Sequence, residues 1–169
     1  KAHEAQIQHL AFYDSLTNLP NRRFLEAHLE QGMLRAQRHQ RSMAVCILDL
    51  DQFKPVNDTY GHEAGDEVLL TLSRRLTKTL RQSDFVARLG GDEFVLLLED
   101  LSQPADIYPT LQKVQAAIVE PIPLSMAESV HVGVSMGVTF YPTGQRIKTA
   151  KQILREADQA CLLYTSDAA

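Results

Sequence analysis

The chain has 169 residues, 44% hydrophobic and 22% charged, with a net charge of −4. That length suits one domain with a sizeable core, and the acidic balance without a Lys/Arg-rich tract excludes general affinity for nucleic acid. Cys46 and Cys161 are too few for a disulfide framework, and no apolar run is long enough to span a bilayer. No signal peptide is evident, so the expected setting is cytoplasmic, with an upstream membrane anchor left open for a longer protein.

Residues 1–12 read as a polar helix with Ile7 and Leu10 on one side, either a lead-in from an upstream module or a frayed terminus. Residues 14–21 are turn-rich, and Asn21 is placed to cap a helix over 22–40, where Phe24, Leu25, His28, Leu29 and Leu34 fall near helical spacing. Residues 43–48 form a continuous apolar run, the pattern of a strand buried on both faces, with Cys46 as a small core residue. The run ends in Asp49-Leu50-Asp51. Asp51 is expected to cap the short helix over 53–60, which stops at Gly61. A longer amphipathic helix over 62–80 follows, with Val68, Leu69, Leu72, Leu76 and Leu80 on its apolar face.

Two strand-like runs, 84–87 and 94–98, then flank Gly90-Gly91, a hairpin signal because both glycines accept positive φ. A helix over 105–120 is ended by Pro121 and Pro123. Residues 130–140 read as a strand in which Gly133 and Gly137 suggest a bulge or close packing. Thr149 and Gln152 fit a capping box that opens a last helix through residue 160. After the lead-in, the order αβααββαβα predicts an α/β or α+β domain with a mixed or largely antiparallel sheet.

The chemistry concentrates in Arg88-Leu89-Gly90-Gly91-Asp92-Glu93-Phe94. Glycines at a turn let phosphates approach the backbone. The carboxylates beside them repel phosphate, so a divalent cation is the natural intermediary. Asp49, at the end of a buried strand, needs the same compensation, since a desolvated charge must be paired or metal-bound. Acids from two distant strands converging on one or two Mg²⁺ ions would meet both needs. A solvated hairpin tip is the bland alternative. The histidines show no metal-ligand spacing; His62 at a helix start reads as structural.

Five motifs in register carry a resemblance: Asp14-Ser15-Leu16-Thr17-Asn18-Leu19-Pro20-Asn21-Arg22-Arg23; the stretch from Asp49-Leu50-Asp51-Gln52-Phe53-Lys54 to Gly61-His62-Glu63-Ala64-Gly65-Asp66; Gly90-Gly91-Asp92-Glu93-Phe94; Val134-Ser135-Met136-Gly137-Val138; and Ala157-Asp158-Gln159-Ala160. From Asp14 through Ala160 the chain resembles the GGDEF-domain family of diguanylate cyclases, leaving 1–13 as a lead-in helix. The resemblance implies a palm-like nucleotidyl-cyclase fold, α/β (α+β), with a central, mostly antiparallel mixed sheet flanked by helices. It implies condensation of two GTP into cyclic di-GMP and pyrophosphate, with Mg²⁺ or Mn²⁺.

On that resemblance Asp49, Asp92 and the Leu50 carbonyl hold metal, and Glu93 joins the metal and catalytic shell. Asn57 and Asp66 read guanine, Lys54 contacts phosphate, Phe53 lies near the nucleotide, and Gly90 and Gly91 border the substrate. Arg81-Gln82-Ser83-Asp84 matches the family's RxxD motif, so Arg81 and Asp84 would bind cyclic di-GMP as inhibitor. Catalysis would need a homodimer. An upstream sensor and a downstream phosphodiesterase domain would be common neighbours. The segment 161–169 departs from the pattern: Thr165 and Ala169 stand where the family has a lysine and an arginine for the triphosphate. Two alternatives follow. One is an impaired domain that binds GTP or cyclic di-GMP and regulates a partner. The other is a phosphohydrolase with Asp49 as nucleophile, which the Gln52-Phe53-Lys54 continuation disfavours.

Overall fold

The apolar run at residues 43–48 lies in β1 (Ser42–Asp51), an inner strand of a four-stranded sheet with the order β2-β3-β1-β6. Its partners are β3 (Glu93–Leu101) and β6 (Gly133–Tyr141), and β2 (Phe85–Gly90) closes the row beyond β3. This computed structural model describes residues 2–142 and 148–161. Every pairing among the described strands is antiparallel, so the sheet has no parallel component there.

An inner strand with helices on both faces must be apolar on both faces, and the two cores show this by alternation. Ala44, Cys46, Leu48 and Leu50 face one core with Phe94, Leu96 and Leu98 of β3. That side is covered by α4 (His62–Thr79) and α5 (Tyr108–Val119) through Val68, Leu72, Leu76, Val114 and Ile118. Met43, Val45 and Ile47 face the other core, with Val95 and Leu97. There α2 (Arg22–His39) and α6 (Ala150–Cys161) supply Leu25, Leu29, Ile153 and Leu154. The short α3 (Phe53–Tyr60) joins β1 to α4.

Local signals place most of the boundaries. Asn21 caps α2, its Oδ1 accepting the Phe24 N–H at 3.1 Å. Thr149 and Gln152 exchange side chain–backbone bonds of 2.9 and 3.2 Å ahead of α6. The stripe on α2 differs in detail: Gly32, Met33 and Ala36 are buried, whereas Leu34 is 51% exposed. Glu99 fastens this helix to β3, accepting from Arg35 at 2.9 and 3.0 Å, and His28 stacks on Phe85 at 4.1 Å.

Two expectations change. The stretch after α5 is a second, two-stranded sheet of β4 (Ile122–Leu124) and β5 (Ala127–Val130), so the strand expected over 130–140 divides between β5 and β6. Pro121 and Pro123 end the helix but admit a short strand. Gly133 and Gly137 make no bulge against β1, because the register runs unbroken from Met43↔Tyr141 to Asp51↔Gly133. The lead-in is α1 (Ala2–Phe12), which leaves Ile7 61% and Leu10 65% exposed. No helix among the described residues is long and apolar enough to cross a membrane.

Candidate functional site

At the end of β1 the alternation continues past the core. Asp49 follows Met43, Val45 and Ile47 on the α2–α6 side, and its register partner across β3 is Glu93, which precedes Val95 and Leu97 on that side. Asp92 comes from the turn itself. Gly90 pairs with Glu93, so Gly91 and Asp92 alone span the connection. Gly90 has φ +143° and Gly91 φ +50°; a Cβ on either would meet nothing within 4 Å, so the demand for glycine is conformational rather than spatial. The Leu50 N–H donates to the Asp92 carbonyl at 3.1 Å, which ties the turn to the strand end.

These placements bring Asp49 and Asp92 together. Desolvation by the surrounding protein, then the charge and hydrogen bonding of Asp92, then Glu93 and Asp51 push the Asp49 carboxyl up to about 6. Glu93 is also raised, by desolvation first and then by Asp158 and Asp92, against the lowering effect of Arg22. It opens onto a cleft of about 440 Å³ bordered by Arg22, Lys151, Arg155 and Asp158. Crowded carboxylates of this kind are relieved by a divalent cation. Among the described residues no group of three or more His, Cys, Asp or Glu is arranged to hold a metal ion. Two carboxylates suit Mg²⁺, which takes few protein ligands and completes its shell with water and substrate phosphate.

Asp51 corrects an expectation: it does not cap α3. The N-cap position is Gln52, in the left-handed region with φ 69° and no capping side chain, while the Asp51 carboxylate accepts from Ser135 Oγ at 2.9 and 3.2 Å. Phe53 is half-buried against the α4–α5 core, Lys54 is exposed, and Asn57 is half-buried. Asn57 packs against Gly65 of α4, the residue before the exposed Asp66. A second group thus forms at the α3–α4 junction.

Arg81 and Asp84 lie apart from both, at the other end of β2 from the turn, a strand of six residues or about 20 Å. The Asp84 side chain is fully buried and accepts from the Arg81 backbone N–H at 3.0 Å and from its guanidinium at 3.1 Å; Arg81 itself is 62% exposed. Thr165 and Ala169 lie outside the described residues.

Sequence reasoning gave no role to Asp14, Arg88 or Ser135. Arg88 donates to both Asp14 carboxylate oxygens at 2.9 and 3.0 Å and to the Gly91 carbonyl at 2.8 Å. Asp14 and Arg88 stood inside quoted motifs, but a partner 74 positions away leaves no local signal.

An antiparallel four-stranded sheet with helices on each face, and acids at one end of its inner strands, is the palm-like class of nucleotidyl-cyclase fold. Residues 11–166 match the family described as diguanylate cyclase, GGDEF domain. The diguanylate cyclase TpbB of Pseudomonas aeruginosa is 41% identical over 156 residues, which is 92% of this chain and 35% of TpbB. The bifunctional diguanylate cyclase/cyclic di-GMP phosphodiesterase MucR of the same species is 43% identical over 152 residues, 89% of this chain and 22% of MucR. The solved TpbB GGDEF domain superposes with a TM-score of 0.83 at 40% identity, covering 90% of this chain and 87% of that one. The GGDEF domain of DgcB from Caulobacter crescentus, solved in complex with c-di-GMP, gives a TM-score of 0.80 at 25% identity, covering 90% and 89%. The chain belongs to the GGDEF family.

Proposed function

We propose that this domain condenses two GTP into cyclic di-GMP and pyrophosphate. The observation that carries the reading is the meeting of Asp49 and Asp92, from segments 43 positions apart, with the Asp49 carboxyl pushed up to about 6 by its surroundings and its neighbour. Two such acids side by side are the place for Mg²⁺ or Mn²⁺, held by both carboxylates and the Leu50 carbonyl. When bound, the metal neutralises the triphosphate and acidifies the attacking 3′-hydroxyl.

The chain's own residues do the rest. Asn57, with an amide that both donates and accepts, and Asp66, which accepts, hold the distinct edge groups of guanine. Lys54 contacts phosphate and Phe53 flanks the nucleotide. The Gly90-Gly91 turn lets the triphosphate approach the backbone, and Glu93 completes the acidic shell from the α2–α6 side. One chain offers one such site, so the two GTP molecules come from two chains facing each other. Arg81 and Asp84 bind the product as inhibitor. This chain spans only a part of TpbB and MucR, and the bifunctional name of MucR supports a phosphodiesterase module as one neighbour in a longer protein; an upstream sensor is the other neighbour proposed. A GTP-consuming domain of this kind works in the cytoplasm.

Thr165 and Ala169, which stand where the family carries its triphosphate-binding lysine and arginine, favour one second reading: a domain that binds nucleotide and regulates a partner without turnover. Incubation with GTP and Mg²⁺, followed by chromatography of the products, separates the two. Cyclic di-GMP is expected, and Asp92→Asn should abolish it. Bound but intact GTP would leave the binding module as the function.

A further inference from the structure

Gly65 is buried near the start of α4, its N–H donating to the Gly61 carbonyl at 3.3 Å. Nothing in its backbone asks for glycine: among the described residues the positive-φ glycines are Gly61, Gly90 and Gly91, and Gly65 is helical. Inside a helix glycine costs about 1 kcal/mol relative to alanine, so propensity disfavours it here. The neighbouring side chain is what requires it. A methyl group on Gly65 would fall 1.9 Å from Asn57 Oδ1, 2.9 Å from its Cγ and 3.3 Å from its Nδ2, and these are the three nearest atoms. The Asn57 carboxamide occupies the space that any other residue at 65 would fill. Among the described residues that carboxamide has no hydrogen-bond partner, so packing on Gly65 sets its orientation.

We propose that Gly65 is a positioning residue for base selection: its missing side chain is the slot that seats the Asn57 amide beside Asp66. The proposal deepens the assignment of Asn57 and Asp66 to guanine and rests on it. With alanine at 65, the Asn57 oxygen must retreat by about 1.5 Å to regain a van der Waals contact of 3.4 Å. All three of those nearest atoms belong to the Asn57 side chain and none to backbone, so the amide swings aside and the helices stay in place. A hydrogen-bonding group misplaced by more than 1 Å loses most of its discrimination. Folding and base selection therefore respond to Gly65→Ala with opposite signs, because the helix gains from alanine what the base contact loses.

The test is calorimetric titration of the chain, with Mg²⁺, using α,β-methylene GTP and α,β-methylene ATP, neither of which can release pyrophosphate. The readout is the ratio of the two affinities in wild type, Gly65→Ala, Asn57→Ala and the double variant. Gly65→Ala should lower the guanine preference by about tenfold or more through weaker guanine binding, with unchanged adenine affinity and a Tm no lower than wild type. In the Asn57→Ala background the same substitution should leave the ratio unmoved, since the atoms it displaces are gone. An intact ratio in Gly65→Ala, where Asn57→Ala lowers it, overturns the proposal and spares the assignment of Asn57. Equal losses from Gly65→Ala in both backgrounds overturn it too, by placing the effect in α4 itself. So does a Tm several degrees lower, which would make Gly65 a packing residue. An unchanged ratio in Asn57→Ala removes the guanine assignment and the proposal with it.

Discussion

Arg88 joins two parts of the chain that the site depends on. Its guanidinium donates to Asp14, in the loop ahead of α2, and to the Gly91 carbonyl, in the turn that carries Asp92. Burial alone would raise the Asp14 carboxyl; the Thr17 backbone and hydroxyl, with Arg88, outweigh it and hold the group below the usual aspartate value of 3.8. A carboxylate depressed on folding stabilises the native state above its unfolded pKa, and that contribution is lost as pH falls through the lower folded value. Asp14→Asn should therefore cost about 1–3 kcal/mol at pH 7, the range for charge-assisted bonds to a largely buried pair. The gap between variant and wild type should close below pH 3.8, which thermal melts across pH would show. A gap of constant size down to pH 2.5 would mean that shape rather than charge holds the loop.

At the scale of elements, what was legible in the sequence is what is local. Asn21 reaches a donor three residues on, Thr149 and Gln152 cap each other across the same span, and the run at 43–48 needs no partner to declare itself buried. Groups joined across strands left no such trace. Asp51 read as a cap because its true partner, Ser135, is 84 positions away, and β4–β5 was hidden because two prolines mark a helix end more loudly than a three-residue strand marks itself. The acids of the site were legible from their position at strand ends and at a glycine turn; the slot that Gly65 makes for Asn57 was not, since it exists only once α3 folds onto α4. The α4–β2 connection shows the same division. The RxxD spacing was readable, and the structure adds that buried Asp84 already holds Arg81. If the proposed product site is right, cyclic di-GMP draws the exposed guanidinium away from that pair. Arg81→Ala should lower product affinity about tenfold or more, the loss of a forked charge-assisted contact, with GTP-analogue affinity unchanged. Equal product affinity in a calorimetric titration would assign Arg81 to the turn alone.

For the whole molecule, stoichiometry sets the constraint. In the proposed reaction the product joins two GTP, whereas the chain places one acidic pair at the end of β1 and one Asn57–Asp66 group at the α3–α4 junction. On that proposal, closing both phosphodiester bonds would take a second copy whose site faces the first. Within the described residues, α1 offers one apolar surface to such a copy, with Ile7 and Leu10 turned to solvent. A dimer held only by small exposed contacts dissociates on dilution, so the initial rate should rise with the square of protein concentration below the dimer dissociation constant and become linear above it. Fusing a parallel coiled-coil dimer in helical phase ahead of α1 should raise the rate of the dilute protein and make it linear throughout, because the second site is then present at millimolar effective concentration. Rate measurements over three decades of protein concentration, with sedimentation in parallel, check both outcomes. A rate strictly proportional to concentration, in a sample that sediments as monomer at every dilution, would place both nucleotides on one chain and reject the facing arrangement.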